Sequence, residues 1–261
     1  MRAVATIGIF DSGMGGLITA RLLHRRRPDL PILYYGDTAH LPYGDKSPEQ
    51  IRGYVRDIVR FLREEGADYI AIACNTASAV AYDIACAVAH PIPVFSAIYP
   101  ALSAFEEKRF PEPIGVIGTY TTIRSGIYGR ALREMGYTVY ELATPTLVPL
   151  IEEGWIDHPA TRAALDTYLT ALGEVGTLLL ACTHYPLLEP AIQRYYEARK
   201  QSTEIVSTAD LLAKAIAQSV PYQGNSKGQA RFWISDPNPR FLELASRFWG
   251  AAVVTEPVPL M

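Results

Sequence analysis

Short apolar runs alternate with amphipathic stretches along most of this chain. Apolar runs of about four to eight residues without strict alternation predict strands buried on both faces, as in a parallel sheet. The first series is VATIGIF (4–10), ILYYG (32–36), YIAIAC (69–74) and PVFS (93–96). The second is IGVIGT (114–119), TVYEL (138–142), TLLLAC (177–182) and EIVS (204–207). The clearest helix opens at Ser47, with Pro48 at its first position and Gln50 at its third, a capping-box arrangement. Ile51, Val55, Ile58 and Leu62 then share one face, and Gly66 stands where such a helix ends. Strand–helix alternation of this kind predicts an α/β fold.

The two series repeat one another. Ile7 and Ile114 lie 107 positions apart, as do Ile32 and Val139, while Cys74 and Cys182 are separated by 108 and Val94 and Ile205 by 111. This near-constant offset predicts two pseudo-symmetric α/β domains, each a mostly parallel sheet flanked by helices. The expected boundaries are 1–97 plus 210–261 for the first and 98–209 for the second. The active site is expected in the cleft between them, at the carboxyl ends of the strands.

Composition narrows the class. The chain has 261 residues, 49% hydrophobic and 20% charged, which excludes a disordered chain, a coiled coil and a collagen-like fibre. Three cysteines do not make a disulfide scaffold. A net charge of −3 leaves no footprint for nucleic acid or an acidic membrane surface, so neither partner is expected. The longest apolar runs hold six residues, far below the roughly 18 to 20 of a spanning helix. MRAVATIGIF lacks the apolar length of a secretory signal, and a cytoplasmic, reducing setting is expected.

Candidate chemistry gathers at the expected strand ends. Cys74 precedes Asn75-Thr76, and Cys182 precedes Thr183-His184. Each is expected where a helix begins, and a helix N-terminus favours thiolate over thiol. Cysteine is also a common small core residue, the reading that suits Cys86 in its Ala-rich helix. Two thiols at equivalent places in a repeat suggest one task instead. One takes a proton from a carbon, and the other returns a proton to the opposite face. No C-x-x-C spacing or paired ligand set accompanies either cysteine, so neither a metal site nor a redox dithiol is expected. None of the five lysines ends an apolar strand, which speaks against a pyridoxal phosphate Schiff base.

The turn DSGMGG (11–16) is not a dinucleotide fingerprint, because Ile18 stands where the last glycine belongs. Its N–H groups could hold a small carboxylate, and Asp11 is expected to point into the cleft or to cap the next helix. The repeat gives Asp11 no twin, and His184 aligns with Thr76, so each cysteine has a different ionisable neighbour. Tyr43-Gly44 reads as a hydroxyl and an N–H offered to a ligand, or as an ordinary surface loop. Glu152 and Glu153 read as a solvated helix end or as a cleft acid. His24 with Arg25-Arg26-Arg27 ends a helix, where cations complement the dipole.

Six segments, IGIFDSGMGGL, YYGDTAHLPYG, ACNTASA, IGVIGTYTTIRSG, LVPLIEEGW and ACTHYPLL, resemble those of glutamate racemases, in that family's order and over nearly the whole chain. The resemblance implies cofactor-independent interconversion of L- and D-glutamate, supplying D-glutamate for peptidoglycan. It implies that Cys74 deprotonates D-glutamate and Cys182 L-glutamate. Asp11 would assist the first and His184 the second, with Glu152 supporting His184. Asp11, Ser12, Tyr43, Gly44, Asn75, Thr76, Thr183 and His184 would bind substrate, with Thr119 and Thr122 near its side-chain carboxylate. A homodimer stays open. Thr144, Ala181 and Ser207-Thr208 depart from the family's usual residues. An aspartate racemase, or a carboxylate-binding protein that has lost catalysis, is the alternative.

Overall fold

A computed structural model describes residues 5–222, 224, 227–237 and 239–258. In chain order its first half contains β1 (Ile7–Asp11), α1 (Gly16–Arg26), β2 (Ile32–Gly36), α2 (Pro48–Glu64), β3 (Tyr69–Ile72), α3 (Asn75–Ala89) and β4 (Val94–Ser96). There follow α4 (Ile98–Glu107), β5 (Ile114–Gly118), α5 (Tyr120–Ser125), α6 (Ile127–Glu134), β6 (Val139–Ala143), α7 (Leu147–Glu152) and α8 (Pro159–Leu172). The chain continues through β7 (Thr177–Ala181), α9 (Glu189–Ala198), β8 (Glu204–Ser207) and α10 (Thr208–Ser219), then β9 (Ala230–Ile234) and α11 (Pro239–Trp249).

Two sheets form, one of five strands in the order β4-β3-β1-β2-β9 and one of four in the order β6-β5-β7-β8. Every pairing between these strands is parallel. The repeat is visible in register, since Ile7 faces Ile32 in the first sheet and Ile114 faces Val139 in the second. All eight expected strands are present, with ends shifted by a few residues. The first begins at Ile7, and Val4 lies outside the described residues. The ninth strand, β9, was not foreseen. It returns from the tail to pair with β2.

Burial on both faces holds for the central strands. β1, β2, β5 and β7 are buried throughout. The expectation fails at the edges. β6 has its second residue, Tyr140, at 44% exposure, and β4 and β8 are only partly buried. A strand with one neighbour has less of the chain packed over it.

The helix α2 follows its sequence signal closely. Gln50 N–H donates to Ser47 Oγ at 3.3 Å, and Ser47 N–H donates back to Gln50 Oε1 at 3.1 Å. Ile51, Val55, Ile58 and Leu62 are buried, and Gly66 closes the helix at φ +92°. Arg27, just after α1, is buried beside Asp29 in a two-point ion pair and also donates to the carbonyls of Ala217 and Val220. It ties α1 to the end of α10. One apolar cluster, including Ile9, Leu17, Ile117, Leu180, Ile234 and Phe248, joins the two sheets into a continuous core. Among the described residues, no helix is long and apolar enough to cross a membrane.

Candidate active site

The carboxyl ends of the two sheets face a cavity of about 330 Å³ lined by Cys74 and Cys182 together. Ser12, Tyr43, Gly44, Asn75, Thr76, Glu152, Thr183 and His184 line it as well. Thr119, Thr144, Glu153 and Phe241 complete much of its wall. Of the expected site residues, Asp11 and Thr122 are absent from the lining.

Cys74 caps α3, and its sulfur accepts the N–H of Ala77 at 3.4 Å. Its thiol also reaches Ser12 Oγ at 3.6 Å. The expected ease of ionisation does not follow. Burial first, and the charge of Asp11 second, push the Cys74 thiol up to about 12 against the pull of those hydrogen bonds.

Cys182 does not cap an α-helix, contrary to the repeat. The first α-helical bond back to its carbonyl would come from residue 186, and Pro186 has no N–H. Tyr185 N–H bonds to that carbonyl at 3.2 Å instead, and a tight turn over Tyr185–Leu188 leads into α9.

His184 Nδ1 lies 3.9 Å from Cys182 Sγ, and its Nε2 lies 3.1 Å from Glu152 Oε1. Burial acts to lower the His184 value, but Cys182 and Glu152 outweigh it and hold the imidazole well above its usual range. The two Glu readings resolve in favour of a cleft acid, with Glu153 also on the wall.

Asp11 is fully buried behind the cavity rather than pointing into it. Its Oδ2 accepts the N–H of Gly16 at 3.0 Å, and Thr183 Oγ1 donates to Oδ1 at 3.3 Å. The carboxylate taken by the glycine turn is therefore the chain's own. Burial raises the Asp11 value despite the opposing charge of His184. Gly15 is required by close approach, since a Cβ there would stand 2.6 Å from His184 Nδ1.

One other expectation needs correction, and one side chain is partly engaged. The Tyr43 hydroxyl is not offered to the cavity, because it donates to Asp37 Oδ2 at 2.7 Å. Burial, with Asp37 second, pushes its titration well up. The partly engaged side chain is that of Asn75. Its Oδ1 accepts from Tyr128 at 2.6 Å, and its Nδ2 donates to Thr208 Oγ1 at 3.1 Å. These two bonds anchor the amide, and its second Nδ2 hydrogen and the backbone N–H are left to serve a ligand.

Thr76 reaches across to the second sheet. Its hydroxyl is hydrogen-bonded to Thr119 at 2.9 Å and Thr122 at 3.1 Å, and those two are 3.0 Å apart. The result is a cluster of three hydroxyls at one end of the cavity. Phe241, from the tail helix α11, was missed because no local motif marks it. Asp37 was missed although it sits within the YYGDTAHLPYG segment, where its acid follows a strand end. Among the described residues no group of three or more His, Cys, Asp or Glu is arranged to hold a metal ion.

The comparisons agree with this arrangement. A family model described as Asp/Glu/Hydantoin racemase matches residues 18–216. A glutamate racemase of Koribacter versatilis is 36% identical over 278 residues, covering 95% of this chain and 94% of the relative. One from Syntrophus aciditrophicus is 39% identical over 256 residues, covering 95% and 93%. The crystal structure of a Francisella tularensis glutamate racemase in complex with D-glutamate superposes with a TM-score of 0.89 at 28% identity, covering 98% of each chain. With a matched pair of cysteines lining a cavity between two related sheets and these relatives along nearly its full length, the chain belongs to the Asp/Glu/Hydantoin racemase family.

Proposed function

We propose that this protein is a glutamate racemase that interconverts L- and D-glutamate by two-base proton transfer at Cα. Cys182 removes the proton from L-glutamate and Cys74 removes it from D-glutamate. The opposite thiol then returns a proton to the other face, so each turnover exchanges which sulfur is protonated. No cofactor or metal enters the scheme. The observation that carries the reading is the pairing of two buried cysteines at equivalent strand ends, lining one cavity with different ionisable neighbours.

Because burial and Asp11 favour its neutral form, Cys74 is poised as the acid when L-glutamate is the substrate. In the other direction it must ionise, and the ammonium group of D-glutamate supplies the opposite charge that lowers a thiol's pKa. Asp11 acts on that side through its charge and through Thr183, without touching the substrate. His184, backed by Glu152, serves Cys182. The ligand carboxylates meet Ser12, Thr76 and Thr183, the backbone N–H groups of Gly44, Asn75 and His184, and the Thr119–Thr122 hydroxyls. These donors stabilise the carbanion-like transition state.

The division into 1–97 plus 210–261 and 98–209 belongs to the same reading, with closure of the two parts excluding water. So do a cytoplasmic setting, a supply of D-glutamate to peptidoglycan, a small-molecule partner only, and room for a homodimer.

The test is turnover in deuterated water with no cofactor added. Each enantiomer should gain one solvent deuterium at Cα as it converts, and Cys74→Ser and Cys182→Ser should each abolish conversion. Absence of exchange with both enantiomers, a single variant with wild-type turnover, or faster conversion of aspartate would overturn the reading.

A further inference from the structure

The loop between β2 and α2 carries a buried carboxylate that the proton-transfer scheme does not use. Asp37 is 1% exposed and gathers three side chains. Tyr43 donates to its Oδ2 at 2.7 Å, Ser235 Oγ donates to its Oδ1 at 3.1 Å, and His40 Nδ1 lies 2.8 Å from Oδ1. The His40 ring is stacked on Tyr54 at 4.0 Å, which holds it over the carboxylate.

Ser235 follows β9, so the clamp reaches into the tail of the chain. The same hydroxyl accepts the N–H of Ala39 at 2.9 Å, and Asp236 N–H donates to Thr38 Oγ1 at 2.9 Å. The far end of the loop is held by the second sheet's helix α5, where Thr121 donates to Gly44 O at 2.7 Å. Between these anchors stand Tyr43 and Gly44, both on the cavity wall. A buried carboxylate is costly unless its oxygens are hydrogen-bonded. This one is satisfied entirely by the loop that faces the ligand and by the tail that backs it.

We propose that Asp37, with Ser235 behind it, is a positioning residue that holds the Tyr43–Gly44 wall at the distance the substrate requires. It acts through the Tyr43 hydroxyl and the loop backbone and does not touch the substrate. The proposal rests on the glutamate racemase reading for its kinetic consequence, but not for its structural one. Neither Asp37 nor Ser235 is hydrogen-bonded to a cysteine sulfur, so the clamp contributes to binding of both enantiomers in ground and transition states alike. Its loss therefore appears in KM.

Two measurements test it. In hydrogen exchange, D37A should speed amide exchange across residues 38–46 while leaving β1 and β5 unchanged. S235A should do so to a smaller degree. This readout needs no activity, so it stands even if the protein fails to racemise glutamate. In steady-state kinetics, D37A and Y43F should each raise KM for both enantiomers on the order of tenfold, the scale of a lost hydrogen bond to a charged group, with kcat within about threefold. The double variant should be no worse than D37A, because both changes break one bond. D37N, which keeps an acceptor for Tyr43, should recover most of the loss. Unchanged exchange at 38–46 in D37A and S235A would overturn the proposal, as would penalties that multiply in the double variant or a loss confined to kcat.

Discussion

Replacing Cys74 with alanine should make the protein more tolerant of alkali relative to its own neutral-pH stability. The thiol is shifted from 9.0 to about 12, chiefly by burial and then by Asp11. A group that holds its proton more tightly when folded contributes its full stability below the unfolded value. That contribution is lost as pH rises through the folded one. Cys74 thus costs the wild type nothing below about pH 9, and roughly 1.4 kcal/mol per pH unit above it until about pH 12. Between about pH 8 and about pH 10 the loss through this one sulfur is on the order of 1 kcal/mol. That corresponds to a few degrees in Tm for a chain of about this size.

Urea unfolding of both proteins at the two pH values, with reductant present, measures the difference. Alanine leaves a small cavity and an unsatisfied Ala77 N–H, but that offset is the same at both values and cancels. The buried hydroxyls of Tyr128 and Tyr185 are pushed up too, by causes that do not include Cys74, and they are common to both proteins. Equal losses of stability in wild type and variant would refute the reasoning. Cys74 would then ionise as readily in the fold as in the unfolded chain, and the proton donor assigned to it would need another source.

Tyr128→Phe should cost about 1–3 kcal/mol, because it leaves the buried Asn75 Oδ1 without its donor, and thermal unfolding reads this directly. An unchanged Tm would show that this bond between α6 and α3 adds nothing to stability. Glu152→Gln takes away one of the two groups that raise His184, so the imidazole should titrate at lower pH by NMR. The stability held in that pair, full below the ordinary histidine value and lost as pH rises through the raised one, should be lost earlier in the variant. An unmoved His184 titration contradicts this. Ser47→Ala should destabilise by about 1 kcal/mol through loss of the capping box at α2, and a change within error would show that the cap is idle.

Much of the architecture was legible because it depends on local pattern. The offset between Ile7 and Ile114 survives as register in two separate sheets. The capped start of α2 was readable from Ser47, Pro48 and Gln50, since a cap needs only neighbours in sequence. β9 was not legible. Its place beside β2 is a contact between residues far apart in the chain, and ARFWI carries no signal of which edge it will join. The half-exposure of β6 escaped for the same reason, because an edge position belongs to the sheet and not to the strand.

The site divides along a similar line. Sequence alone determined which residue types stand at the carboxyl ends of the strands: two cysteines in equivalent places, with Asp11 near one and His184 after the other. It also contained the proline that denies Cys182 its helix, although the consequence emerged only in the hydrogen bonding around Tyr185. Tertiary structure decided which of these groups are free to act. It turned Asp11 onto Gly16 and Thr183, gave the Tyr43 hydroxyl to Asp37 and anchored the Asn75 amide between Tyr128 and Thr208. It also reversed the direction expected for Cys74, because desolvation depends on everything packed around a sulfur, while a helix terminus is a property of the chain beside it.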